Sequence, residues 1–299
     1  MNEHIEQLVT EKPNPHTLHL DELSPLEIIR IMNDEDQKVA LAVNKELPKI
    51  AQAIEIIVKQ LNLNGRVVYF GAGTSGRLGI LDASECAPTF STTDEFMALI
   101  AGGERAVKSA VEGAEDSETL IIEELKAIKF KSKDVAVGIA ASGRTPYVIS
   151  GLNYAKSMGA HTISISCNPD SVLSQVSDVG IDIEVGPEVL TGSTRLKAGT
   201  ATKMVLNMLS TASMVQMGKV YGNLMVDLNP SSIKLIDRAN RIIMQATGVN
   251  EKSAHKALYD ANLKVKVAIV MLLRNCSATD AINKLEKANG FVSKALKLK

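Results

Sequence analysis

An α/β fold is predicted: a five-stranded parallel sheet flanked by helices, then a small all-α module. Three observations carry that prediction. Five short apolar runs alternate with helical stretches, the pattern of parallel strands joined by crossover helices. Several runs lack strict polar–apolar alternation, as expected of strands covered on both faces. Beyond about residue 228 the strand runs stop and only helical periodicity continues. The 299 residues thus divide into an N-terminal arm and helix (1–50), a sheet domain (51–228) and a C-terminal helical domain (229–299).

Residues 1 to about 35 read as an arm carrying Pro13, Pro15 and Pro25. From Asp36 to Leu63 the apolar residues Val39, Ala42, Leu47, Ile50, Ile54, Ile57 and Leu61 recur at helical steps. Pro48 should interrupt that helix. The five strand runs are Arg66 to Phe70, Phe96 to Ala101, Asp134 to Ala140, His161 to Ser166 and Gly180 to Val185. A long helix follows over about Leu196 to Val220. Asn229-Pro230-Ser231-Ser232 then gives a turn and a helix cap. The rest reads as short helices punctuated by Gly248, Ser277 and Gly290.

Composition excludes several functions. A net charge of −1 gives no pull toward nucleic acid, and five Phe, five Tyr and no Trp are thin material for base stacking. The aliphatic run Val267 to Leu273 is too short to span a bilayer, so no membrane partner is expected. The N-terminal residues lack an apolar h-region, and no secretory leader is read from them. Cys86, Cys167 and Cys276 are odd in number and far apart, which suits reduced thiols in the cytoplasm. No Cys/His spacing suits zinc; His16 and His19 stand alone in the polar arm.

Ligands of parallel sheets bind beyond the C-terminal strand ends. The first such loop is Gly71-Ala-Gly73-Thr74-Ser75-Gly76. It fits the dinucleotide fingerprint and equally a simpler anion-binding turn at a helix start. Glu104 stands somewhat late for the acid that a dinucleotide ribose needs. The second loop carries Ser142, Arg144 and Thr145 before Pro146. The third carries Ser193, Thr194, Arg195 and Lys197 before the long helix. Each loop alone also reads as ordinary helix capping. Together, three hydroxyl-rich loops suit a small phosphorylated polyol better than an extended dinucleotide.

Two sets of carboxylates stand out. Asp82 and Glu85 lie one helical turn apart, and Glu112, Glu115 and Glu118 are spaced at threes. If helical, that trio shares a face where like-charge repulsion would favour protonation of one member. A solvated acidic helix start accounts for the same spacing.

The segments FGAGTSGRLGILDASECAPTF, VEGAEDS, IAASGRTPYVI, SISCNPDS, GPEVLTGSTRLKAGTATKMVLNM and GKVYGNLMVDL closely resemble the bacterial N-acetylmuramic acid 6-phosphate etherases. Glucokinase regulatory proteins share parts of these motifs. The resemblance implies a sugar isomerase (SIS) domain, a C-terminal three-helix module similar to ubiquitin-associated domains, and a homodimer with active sites near the subunit interface. It implies no metal, nucleotide or other cofactor. The implied substrate is N-acetylmuramic acid 6-phosphate; the implied products are N-acetylglucosamine 6-phosphate and D-lactate.

By motif, Glu85 in DASEC matches the family's acid, and Glu115 in EGAED its base at C2. Gly73, Thr74, Ser75, Ser142, Arg144, Thr145, Ser193, Thr194 and Lys197 are the expected substrate-binding residues. The chemistry needs a Glu85 that begins protonated, since an ether is a poor leaving group, and a Glu115 that begins ionised. A helix running from Ser75 to Glu85 covers about 15 Å, longer than a hexose 6-phosphate. The phosphate is therefore expected on the Ser142 and Ser193 loops, or Glu85 is expected in a neighbouring subunit's site. Two other activities fit the same fold: a sugar-phosphate sensor without turnover, and an aldose–ketose isomerase.

Overall fold

The computed structural model describes residues 8–230 and 232–298. The first seven residues of the expected arm, and Ser231 of the expected turn, lie outside them. The chain forms two compact units: residues 1–84 with 94–210, and residues 85–93 with 211–299.

The first unit begins with α1 (Pro25–Lys45) and α2 (Leu47–Asn62). Residues from Pro25 on are thus helix, not arm. Ser24 and Glu27 form a capping box in which Glu27 accepts the Ser24 N–H at 2.8 Å, and Pro25 sits at the first helical position. The helices break at Glu46, two residues before Pro48, as a proline in the first turn of α2 requires.

The sheet then alternates with helices: β1 (Val67–Gly71), α3 (Gly73–Phe90), β2 (Phe96–Ile100), α4 (Gly103–Lys108), α5 (Leu120–Ala127), β3 (Val135–Ile139), α6 (Pro146–Ser157), β4 (His161–Ser166), α7 (Val172–Val176), β5 (Val179–Asp182) and α8 (Lys197–Gln216). All five strands are parallel, in the order β2-β1-β3-β4-β5. Gly71 pairs with Ile100 on one side and Ile139 on the other, so β2, β1 and β3 end level.

Both faces of β1 and β3 are covered, which explains their unbroken apolar character. On one face Val68, Phe70 and Ala136 pack with Ile121, Val148 and Leu152 from α5 and α6. On the other, Gly79 of α3 lies against Tyr69; a Cβ there would stand 3.1 Å from the tyrosine Cβ. Beneath the strand starts, Arg66 and the buried Asp134 pair at 2.7 Å.

The glycines of the first loop have distinct work. A Cβ on Gly76 would meet the Gly71 carbonyl oxygen and Ile100 Cγ1 at 2.6 Å, and one on Gly71 would meet the Ile139 oxygen at 2.7 Å. Both are therefore needed for close helix–strand packing, whatever the ligand.

The second unit holds α9 (Ile233–Thr247), α10 (Glu251–Asp260), α11 (Val265–Arg274), α12 (Ala278–Lys287) and α13 (Val292–Ala295) around a core that includes Ile243, Leu258, Ile269 and Leu285. Ser232 and Ser277 cap α9 and α12 through their side chains, and Gly248 ends α9 with φ 75. The sequence places the boundary near residue 228, where strands give way to helices. The compact units divide within α8, at Thr211.

Candidate active site

Beyond the strand ends of the first unit lies a pocket of about 330 Å³. Its floor and walls come from the loop after β1 (Gly73, Thr74, Ser75), the loop after β3 (Ser142, Thr145) and the approach to α8 (Thr194, Thr202). Glu115 and Glu11 line it, and among the described residues no Lys, Arg or His does.

Two helix N-termini open here. The ladder of α3 begins with Gly76 N–H donating to the Ala72 oxygen at 3.3 Å, so the N–H groups of Gly73, Thr74 and Ser75 have no helical acceptor. Thr145 occupies the N-cap of α6 in an extended conformation, yet its side chain makes no capping bond. Among the described residues, the hydroxyls of Thr74, Ser75, Ser142, Thr145 and Thr194 have no hydrogen-bond partner. Four caps elsewhere, Ser171, Ser232, Asn250 and Ser277, each accept a backbone N–H of their own helix, though Thr119 of α5 does not. Ordinary capping therefore does not account for the pocket's hydroxyls. Unsatisfied N–H groups, free hydroxyls and two positive helix-dipole ends suit an anion with several acceptor oxygens.

The Ser142 loop is shaped for this position. Gly143 has φ +72, and a Cβ on it would stand 2.4 Å from Ser171 Cβ. Its carbonyl accepts the Leu173 N–H at 3.0 Å, which ties the loop to α7.

The start of α8 is built differently. Glu188, fully buried, accepts the N–H groups of Lys197 and Ala198 at 3.0 and 2.9 Å and so caps the helix from outside. Burial pushes the Glu188 carboxyl above its ordinary pKa, and those two N–H bonds pull it partly back. Lys197 is 1% exposed and its Nζ lies 2.5 Å from Glu35 of α1. The expected ligand cation is thus a buried structural cation that fixes α1 to the start of α8.

The other expected residues divide cleanly. Gly73, Thr74, Ser75, Ser142, Thr145, Thr194 and Glu115 come together around the pocket; Arg144, Ser193 and Lys197 do not line it. The Glu112–Glu118 stretch is not an α-helix. Only Ala114–Asp116 forms a 3-10 turn, so the three glutamates share no helical face. Glu104 is exposed on α4 and does not line the pocket. Glu85 stands on α3 ten residues beyond Ser75, exposed, with Leu81 one turn before it also exposed. Its neighbour Asp82 is buried, 2.8 Å from Lys203 and 3.2 Å from the Tyr69 hydroxyl. Sequence reasoning missed Glu11, which had no periodicity or motif to mark it, and Thr202, which reads only as a helix residue.

No group of three or more His, Cys, Asp or Glu among the described residues is placed to hold a metal ion. No helix of the described residues is long and apolar enough to cross a membrane.

Comparison with known proteins gives the same architecture and narrows it. Residues 49–156 match the N-terminal SIS domain of glucokinase regulatory protein, and residues 123–212 match the SIS domain. A phosphoheptose isomerase structure from Francisella tularensis aligns with 63% of this chain and 99% of its own, at TM-score 0.50 and 17% identity, a likeness of fold alone. Over the full length, an N-acetylmuramic acid 6-phosphate etherase of Geobacillus sp. (strain WCH70) is 56% identical across 98% of this chain and 99% of the relative. The corresponding Pasteurella multocida (strain Pm70) protein is 52% identical across 98% of each. A hydroxyl-lined pocket on a parallel sheet, together with identity of that extent over the full length, leaves one assignment: the chain belongs to the N-acetylmuramic acid 6-phosphate etherase family.

Proposed function

We propose that this chain cleaves the lactyl ether of N-acetylmuramic acid 6-phosphate, giving N-acetylglucosamine 6-phosphate and D-lactate. It is then a carbon–oxygen lyase that works by elimination and hydration. The observation that carries the reading is the pocket itself. Among the described residues, five hydroxyls and the first N–H groups of α3 have no hydrogen-bond partner there, in the pocket that Glu115 also lines. That arrangement favours a phosphate held by neutral donors, with an acid–base group at the sugar end.

In the proposed sequence the sugar ring opens to its aldehyde. Glu115 takes the C2 proton, and the electron pair is held as an enolate conjugated with C1. The C3–O bond then breaks as Glu85 gives its proton to the departing lactate oxygen. Water adds at C3 of the unsaturated aldehyde, its proton returning to Glu85, and C2 is reprotonated. Thr74, Ser75, Ser142 and Thr145 hold the phosphate, with Gly73 lending its N–H and Thr194 a further hydroxyl.

The chain works as a homodimer in this reading. Leu81 and Glu85 share one exposed face of α3, and Leu26 and Ile29 of α1 are more than half exposed. Such a face suits cover by a second copy, and Glu85 is proposed to serve the partner's pocket.

The test is direct. The purified protein should release D-lactate from N-acetylmuramic acid 6-phosphate, measured by coupled D-lactate oxidation, and Glu85→Gln should suppress it. Binding without lactate release would instead identify a sensor. A ketose product with lactate still attached would identify an isomerase. Either result overturns the etherase reading.

A further inference from the structure

We propose that Glu11 is a substrate-binding residue of the pocket. Its carboxylate accepts a hydrogen bond from a hydroxyl or amide N–H of the sugar and keeps the phosphate off that wall. The identity of the sugar rests on the etherase reading above.

The segment that carries Glu11 is anchored with unusual care for a polar stretch ahead of the first long helix. Thr10 is 0% exposed and Asn14 1%. The Thr10 N–H donates to Asn168 Oδ1 at 3.4 Å, and Asn168 Nδ2 donates to the Thr10 hydroxyl at 3.1 Å and the Ala141 oxygen at 3.0 Å. Asn14 Nδ2 donates to the Pro187 oxygen at 3.2 Å. Side chains and loops beyond β3, β4 and β5 thus grip the chain on both sides of residue 11. Buried polar groups paired this fully specify one conformation.

Glu11 itself is left over. It is only partly buried, and its carboxylate has no hydrogen-bond or ion-pair partner among the described residues. It lines a pocket that already holds Glu115 and, among the described residues, no cation. The facing turn also leaves it room: Gly192 has φ +74, and a Cβ there would stand 3.1 Å from Glu11 Oε2. A carboxylate held on a cavity wall by an anchored segment, with its own oxygens unpartnered among the described residues, is open to a ligand donor.

The chemistry says which part of the ligand meets it. An ionised carboxylate only accepts hydrogen bonds, so it repels a phosphate and suits a hydroxyl or amide donor. The donors suited to phosphate lie at the starts of α3 and α6, after the central strands β1 and β3. Glu115 stands on the 3-10 turn Ala114–Asp116, which packs against α6; the anchors of Glu11 follow β3, β4 and β5. Both carboxylates line the same pocket as those donors.

The experiment compares wild type with Glu11→Gln and Glu11→Asp in lactate release, and in calorimetric binding of N-acetylglucosamine 6-phosphate and of inorganic phosphate. Glu11→Gln is expected to raise KM and weaken sugar-phosphate binding by about 10- to 100-fold, the loss typical of a hydrogen bond to a charged group. Its kcat should change less, and inorganic phosphate should bind as well or better. Glu11→Asp, which keeps the charge, should recover part of the loss. Unchanged KM and sugar-phosphate affinity in Glu11→Gln would overturn the proposal. So would an equal loss of inorganic phosphate binding, the mark of a collapsed pocket. A kcat loss with unchanged KM would make Glu11 part of the proton transfers and not of binding. If wild type binds the sugar phosphate without releasing lactate, the etherase reading fails while the Glu11 comparison still reads out by calorimetry.

Discussion

Each compact unit of this chain holds a cavity with charged walls, and the two use charge in opposite ways. In the sheet unit the pocket carries Glu11 and Glu115, with no lining cation among the described residues and hydroxyls that cap none of them. In the helical unit a cavity of about 470 Å³ is lined by Asp227, Lys264 and Lys266 among Val226, Leu228 and Leu285. There the charges answer one another: Lys266 lies 2.7 Å from Asp227 and Lys219 3.5 Å from the same oxygen. Asp227 also keeps its backbone engaged, its carbonyl accepting the Ser91 hydroxyl at 2.5 Å. Groups satisfied within the fold hold it together, whereas groups left unsatisfied at a cavity wall are available to a ligand. Removing one charge from each cavity should therefore have opposite consequences.

The largest effect is expected at Glu115. Glu115→Gln should lower kcat for lactate release by on the order of 10⁴-fold, the upper end for loss of a positioned base. It should also abolish solvent-deuterium exchange at C2. Glu115 is exposed and has no hydrogen-bond or ion-pair partner among the described residues, so the melting temperature should hold. A variant that lost stability and kept exchange would erase the contrast between the cavities.

Next is the ion pair that supports the pocket wall. Burial pushes the Glu35 carboxyl upward, but hydrogen bonds and charge from Lys197 and Lys38 outweigh it and hold its pKa at about 2, against 4.5 for the free group. A carboxyl depressed in the folded state adds stability above pH 4.5, and this is lost as pH falls toward 2. Glu35→Gln strands Lys197, which is 1% exposed, and should cost about 3 to 5 kcal/mol at neutral pH. The urea midpoint of wild type should fall between pH 4.5 and 2, while that of the variant stays flatter over the same range.

These particulars also show which parts of the molecule were legible in the chain. The strands were, because short apolar runs alternating with helical stretches spell a parallel sheet covered on both faces. The hydroxyls of the Thr74 and Ser142 loops were legible because strand ends point ligands to those loops. The start of α1 was spelled out by Ser24-Pro25-x-Glu27, but the prolines around it suggested an arm. Lys197 misled because nothing near it in sequence pairs its charge. Its partner Glu35 lies 162 residues away. Glu11 was silent for the same reason in reverse: its anchors Asn168 and Pro187 are more than 150 residues downstream, so only tertiary structure brings it to the pocket. Local rules carry elements and caps. Long-range pairing decides which charges are spent and which are left for a ligand.

The smallest expected effects test the helical unit. Asp227→Asn leaves Lys266, 12% exposed, beside Lys219 without a counter-charge, and should lower stability by about 1 to 3 kcal/mol. Even in wild type, burial pushes the Lys266 amine below the ordinary lysine pKa of 10.5; Asp227 draws it back only in part. An amine depressed in the folded state releases its proton before the unfolded chain does. The unfolded state then binds more protons, and stability rises with pH in the window just below 10.5. The wild-type gain should be slight, and Asp227→Asn should steepen it because nothing then draws the amine back up. Urea midpoints followed by circular dichroism between pH 8 and 10 read both slopes. A variant curve flatter than wild type would mean that Lys266 does not depend on Asp227, and that the helical cavity leaves a charge open just as the sheet pocket does.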